Sequence, residues 1–146
     1  MGMTLQPQRG FKLTLTVVGV VYTLMACSML VRGPTVLHEF GVSPRLTEEA
    51  VLRDFFSFFY QLMAAVGVLV VLMGHTVRER AAQRLVAAAL GAANLLAAWR
   101  DLTTSDSDFG SRLYHGPKTM VFVYISLTYA LIFAILAISA GRAPRT

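Results

Sequence analysis

Four long apolar runs constrain this chain more than any other feature. They cover residues 13–31, 55–73, 84–102 and 119–140 of a 146-residue sequence. A helix needs about 20 such residues to cross a hydrocarbon core of ~30 Å. Inside lipid a helix also satisfies its own backbone hydrogen bonds, which an open strand or loop does not. A chain this short cannot hide four such runs in a water-soluble core. Only 14% of its residues are charged, against about 25% in a typical soluble domain. The expectation is one all-α domain: an integral membrane four-helix bundle running up-down-up-down, with both termini on the same side.

The third run is the weakest, because only residues 85–99 are free of charge. It reaches spanning length if Arg84 snorkels at one end and Leu102 is included at the other. The first run raises a second question. Leu24-Met25-Ala26-Cys27-Ser28 follows a basic start and resembles a lipoprotein processing site, although its methionine is atypical. The expectation is that this run is retained as a span and that Cys27 is a small residue packed among helices.

The formal net charge is +5. The basic residues are scattered rather than gathered into a patch interleaved with aromatics, so no nucleic-acid partner is expected. They flank the apolar runs instead, which is the membrane pattern. One side would hold Arg9, Lys12, Arg78, Arg80, Arg84, Arg142 and Arg145; the other would hold Arg32, Arg45, Arg53, Arg100, Arg112 and Lys118. The first set sits in short segments, and the second is spread over two long connections. Both termini are therefore placed in the cytoplasm, and the bacterial inner membrane is the expected location.

Cys27 is the single cysteine, so an intrachain disulfide is impossible. His38, His75 and His115 do not share a membrane face under this topology, so neither haem nor a metal site is expected. No cofactor is implied.

The connection around 75–80 is short, and spans two and three should therefore pack as an antiparallel hairpin. The outer connections are long. In the first, Thr47 would cap the helix of span two, with Glu48 and Glu49 in its first turn. The second, 101–117, is rich in Ser, Asp and Gly and reads as a loop.

Candidate chemistry sits at the outer end of that hairpin. Asp54 follows Arg53 at the entry to span two, and Asp101 follows Arg100 at the exit of span three. Seven residues inward lie Gln61 and Asn94, each roughly 10 Å below its carboxylate. Ala87, Gly91, Asn94, Ala98 and Asp101 share one helix stripe, as do Asp54, Ser57 and Gln61. Polar groups within a membrane face the bundle interior. Asp54 and Asp101 would then serve as acid and base, tuned by Arg53 and Arg100. Asn94, Gln61, Tyr60, Tyr124 and Trp99 would contact a lipophilic substrate entering from the bilayer. Tyr22, Thr23 and Ser28 of span one, and Ser126, Thr128 and Tyr129 of span four, are further polar residues. A plainer reading assigns the Arg-Asp pairs to interfacial salt bridges and the two amides to locking the hairpin. Phe55, Phe56, Phe58, Phe59 and Trp99 read first as interface anchors.

The entry Arg53-Asp54-Phe55-Phe56, the chain's size and its span spacing resemble the small four-helix DoxX-like bacterial membrane proteins. That resemblance implies a four-helix membrane fold. Members of that group differ in role, some being linked to quinone oxidoreduction, so it assigns no residue a role here.

Two main functions follow. One is a cofactor-free membrane enzyme, an isomerase, cyclase or hydrolase, with a pocket between the helices. The other is a non-catalytic subunit that stabilises a partner complex, with the polar stripe filled by packing. Transport would require assembly of several copies. Membrane lipid is the expected surrounding partner, and a homo-oligomer or a partner membrane protein fits the second reading.

Overall fold

The computed structural model describes residues 9–40, 42–104 and 119–141. Four long helices cross the molecule: α1 (Arg9–Arg32), α3 (Ala50–Thr76), α4 (Arg80–Thr104) and α5 (Thr119–Gly141). A short helix α2 (Pro44–Glu48) and a 3-10 helix (Pro34–Phe40) fill the connection between α1 and α3. All four long helices are long and apolar enough to cross a membrane, and between 17% and 28% of each apolar stretch is buried inside the bundle. The rest of that surface must face lipid or another protein. This is the all-α four-helix membrane bundle expected from the four apolar runs. The third run forms a full-length helix despite Arg84, Arg100 and Asp101.

The pairing of the helices departs from expectation. Spans two and three do not pack as a hairpin: α3 lies along α1, and α4 lies along α5, while α3 and α4 barely approach each other. The reason lies in the small residues. A Cβ added to Gly19 would sit 2.5 Å from the Gly67 carbonyl oxygen, and one added to Gly67 would sit 2.7 Å from the Gly19 carbonyl oxygen. The α1 and α3 backbones therefore touch, as small-residue crossings in lipid allow. Gly74 continues the contact about two turns on, against Leu15 and Lys12. Thr23 hydroxyl adds a bond to the Gly19 carbonyl at 2.9 Å and a longer one to Ala64 across the pair. In α4, Gly91 faces Phe133 and Ala130 of α5 more loosely, since a Cβ there would sit at ordinary contact distance, 3.5 Å and 3.7 Å.

The two pairs meet through larger side chains. Phe11, Leu15 and Val18 of α1 pack with Val70, Ala87, Phe133 and Leu136 into one core. At the other end Ala26, Met29, Val36, Leu37, Val42, Phe56 and Tyr60 form a second core beneath the α1–α3 connection. That connection is a folded cap. Gly33 takes φ +71° and returns its N–H to the Met29 carbonyl at 2.9 Å, closing α1 with a left-handed residue. Arg32 pairs with Glu39, and Phe40 packs on Phe122 of α5 with ring centres 5.0 Å apart.

Thr47 does not cap the helix of span two. It is buried within α2, where its hydroxyl donates to the Pro44 carbonyl at 2.8 Å and meets the His38 ring at 2.7 Å. Glu49 is the residue that precedes α3, and its side chain makes no capping bond. Proline at the first position of α2 explains the shift, since it favours starting a helix there. Of the loop expected over 101–117, residues 101–104 belong to α4 instead, and the remainder lies outside the described residues.

Replacing Gly67 by leucine should force α1 and α3 apart and lower stability by about 1–3 kcal/mol or more, the usual cost of overpacking. Gly10→Leu is the control, because a Cβ there meets nothing within 4 Å. Thermal unfolding of both variants in detergent, followed by far-UV circular dichroism, checks this; equal midpoints would remove the glycine crossing as the organising contact.

Candidate functional site

The polar centre of the bundle is built on α1, α4 and α5. The stripe read from the sequence on α4 is the buried one: Ala87, Gly91, Asn94 and Ala98 all face inward. Asn94 is 9% exposed. Its amide nitrogen donates to the Leu90 carbonyl at 2.8 Å. Its amide oxygen accepts a bond from the Tyr22 hydroxyl at 3.2 Å. The Tyr22 ring leans on Tyr129 of α5, with centroids 5.3 Å apart and planes inclined by 40°. One hydrogen bond and one ring contact thus join three helices at mid-membrane depth.

Gln61 does not join this layer. It is exposed on α3, and the α3–α1 pairing turns it away from α4. The expected Gln61–Asn94 layer is therefore replaced by Tyr22–Asn94. The carboxylates are also apart. Asp54 and Arg53 are exposed at the start of α3. Asp101 is partly buried at the end of α4 and is paired with its own neighbour Arg100, whose guanidinium reaches it at 2.9 Å and 3.3 Å. Asp54 and Asp101 stand on helices that barely meet.

Tyr60 is buried in the outer core, against Phe56 with ring centres 4.6 Å apart and edge-on to Phe59 at 5.1 Å. Tyr124 and Trp99 are 62% and 68% exposed and face outward. The aromatic entry to α3 is divided. Phe56 is buried, while Phe55, Phe58 and Phe59 point out, as anchors at an interface do. Cys27 is exposed rather than packed inside.

No group of three His, Cys, Asp or Glu side chains is placed to hold a metal among the described residues. His38 is engaged by Thr47. His75 lies by Thr16 at 3.3 Å on the other membrane end. His115 lies outside the described residues.

Two residues at key places carried little weight in the sequence. Tyr22 and Tyr129 read only as additional polar residues, yet they form the centre with Asn94. Their spacing from the core residues Leu15, Val18 and Leu136 was the available signal. Gln83 gave none. It is fully buried, and its amide nitrogen donates to the Val77 and Arg78 carbonyls at 3.0 Å and 3.4 Å. It thereby ties the short α3–α4 link to the first turn of α4. Its amide oxygen is buried without a partner.

The fold and this interior define a four-helix integral membrane bundle. Comparison with protein-family models, curated proteins and solved structures finds no match.

Removing the Tyr22 hydroxyl should leave the Asn94 oxygen without its donor. Tyr22→Phe should cost about 0.6–2 kcal/mol, the range of interhelical hydrogen bonds in membranes. Adding Asn94→Leu to it should recover part of the loss, because an unpaired amide is then removed. A double-mutant cycle from steric-trapping or denaturant unfolding in bicelles measures the coupling. A coupling of zero would mean that the pair does not join the helices.

Proposed function

We propose that this chain is a non-catalytic subunit of a membrane assembly, seated in a bacterial inner membrane. One observation carries the reading: the polar groups at the mid-membrane centre of the bundle are consumed by helix packing. Asn94 is bonded to Tyr22 and to its own helix, and the two candidate carboxylates are on helices that do not pair. An acid–base enzyme needs its acid and base to act on one substrate. Asp54 is open at one helix entry, and Asp101 is held by Arg100 at another helix end.

The outside of the bundle supports the same reading. Phe55, Phe58 and Val51 are exposed on α3 beside the folded cap. Such a band suits contact with a neighbouring membrane protein as well as with lipid. The DoxX-like layout remains a proposal alongside it and adds no residue-level role.

The test is a chromosomal deletion complemented with Asp54→Asn/Asp101→Asn. A subunit should protect its partner, so the deletion should lower the level of a specific membrane protein several-fold. The double variant should restore that level, as read by quantitative proteomics of the membrane fraction. An unchanged membrane proteome, or a metabolic defect that the folded double variant cannot repair, would overturn the reading in favour of the enzyme with Asp54 and Asp101 as acid and base.

A further inference from the structure

The tight pairs α1–α3 and α4–α5 leave a seam where α1 passes α5. The seam opens to the lipid as a groove of about 330 Å³, walled by Leu13, Thr14, Val17 and Val21 on α1 and by Tyr129 and Ile132 on α5. It runs along α1 from Leu13 to Val21, about 12 Å. Its deep end is stopped where Tyr129 leans on Tyr22. Its other end points to the membrane surface that bears the start of α1.

That mouth has two features. Gly10 lies one turn before Thr14, and a Cβ there would meet nothing within 4 Å. Among the described residues, nothing fills the space beside Gly10 on the way out to the interface. Arg9 lies one turn before Leu13 on the same side of α1 and is exposed. An apolar slot thus ends beside a guanidinium at headgroup level, and Arg side chains pair well with phosphate.

A second groove makes the comparison. It is lined by Val20, Thr23, Leu24, Val68 and Val71, with a volume of about 220 Å³. It lies at mid-span, with no charged residue within a turn on either helix. It offers a chain nothing beyond ordinary lipid contact.

We infer that the α1–α5 groove seats one acyl chain of an anionic phospholipid, whose phosphate is held by Arg9. The occupant is fixed by charge and depth. The groove is apolar up to the interface, and Arg9, the described residue that extends its α1 wall by one turn, is positive. Lys12, a turn further along the same interface, adds to the positive potential there.

Native mass spectrometry of the full chain, released from mild detergent, tests this with phosphatidylglycerol, phosphatidylcholine of the same chains and inorganic phosphate as probes. Wild type should retain one phosphatidylglycerol, several-fold more tightly than phosphatidylcholine. Arg9→Gln should weaken phosphatidylglycerol about fivefold, the worth of one basic residue at a membrane surface, and leave phosphatidylcholine unchanged. Val17→Trp should fill the groove and abolish retention of both lipids; Val17 is outward-facing, so the core is undisturbed. Arg84→Gln, at the same membrane end but off the groove, should behave as wild type. Inorganic phosphate at millimolar concentration should not displace the lipid. The inference fails if Arg9→Gln binds like wild type, if Val17→Trp keeps its lipid, if Arg84→Gln matches Arg9→Gln, or if phosphate alone displaces the lipid.

Discussion

The backbone contact between Gly19 and Gly67 sets the rest of this bundle. In lipid there is no hydrophobic gain from bringing two apolar helices together, so close van der Waals contact has to supply it. Two glycines facing each other let α1 and α3 approach until carbonyl oxygens fill the space a Cβ would need. The buried residues of α3, Phe56, Tyr60, Gly67, Val70 and Gly74, fall on one stripe, and α1 takes it, which leaves α4 to pair with α5. The short Val77–Glu79 link then becomes a hinge between pairs rather than the turn of a hairpin. Gln83 makes that arrangement tolerable by bonding the link's carbonyls, which would otherwise be unpaired at the membrane edge.

The polar interior follows from the same commitment. With α3 on one flank of α1, the remaining inward face of α1 is Phe11, Leu15, Val18 and Tyr22. This face meets the α4–α5 pair. Tyr22 is long enough to reach Asn94 across the wider gap, whereas a serine or threonine at that position would not. Bulky residues hold the pairs apart, and glycines hold α1 and α3 together. The wider spacing between pairs is also why a groove persists between α1 and α5.

The number and type of the long helices were legible because hydropathy is a one-dimensional property. A run of about 20 apolar residues has one stable fate in a bilayer. The inward stripe of α4 was legible too, since Ala87, Gly91, Asn94 and Ala98 recur at helical spacing. What could not be read was the partner of that stripe. Periodicity gives the buried face of a helix but not the neighbour it faces, and loop length misled here. A three-residue link normally implies adjacent packing, but Gly19 and Gly67, 48 residues apart in sequence, outweigh it. The candidate site rested on adjacency of spans two and three, so Gln61 and Asp54 separated from Asn94 and Asp101 when the pairing changed. Thr47 failed as a cap for a local reason: Pro44 starts a helix of its own three residues earlier.

Catalysis in a membrane bundle requires interior polar groups that packing leaves unused. Here the geometry offers the reverse at the centre. Asn94 spends its oxygen on Tyr22 and a hydrogen on Leu90, and Tyr22 in turn is braced by Tyr129. Such a network ties the crossing of the two helix pairs, because Tyr22, Asn94 and Tyr129 stand on three different helices. That tie at mid-membrane, joined to a folded cap that clamps α1, α3 and α5 at one end, gives the chain a fixed outer shape. A fixed apolar shape is what a neighbouring membrane protein or a bound lipid can recognise, and the proposed subunit role rests on that outer surface.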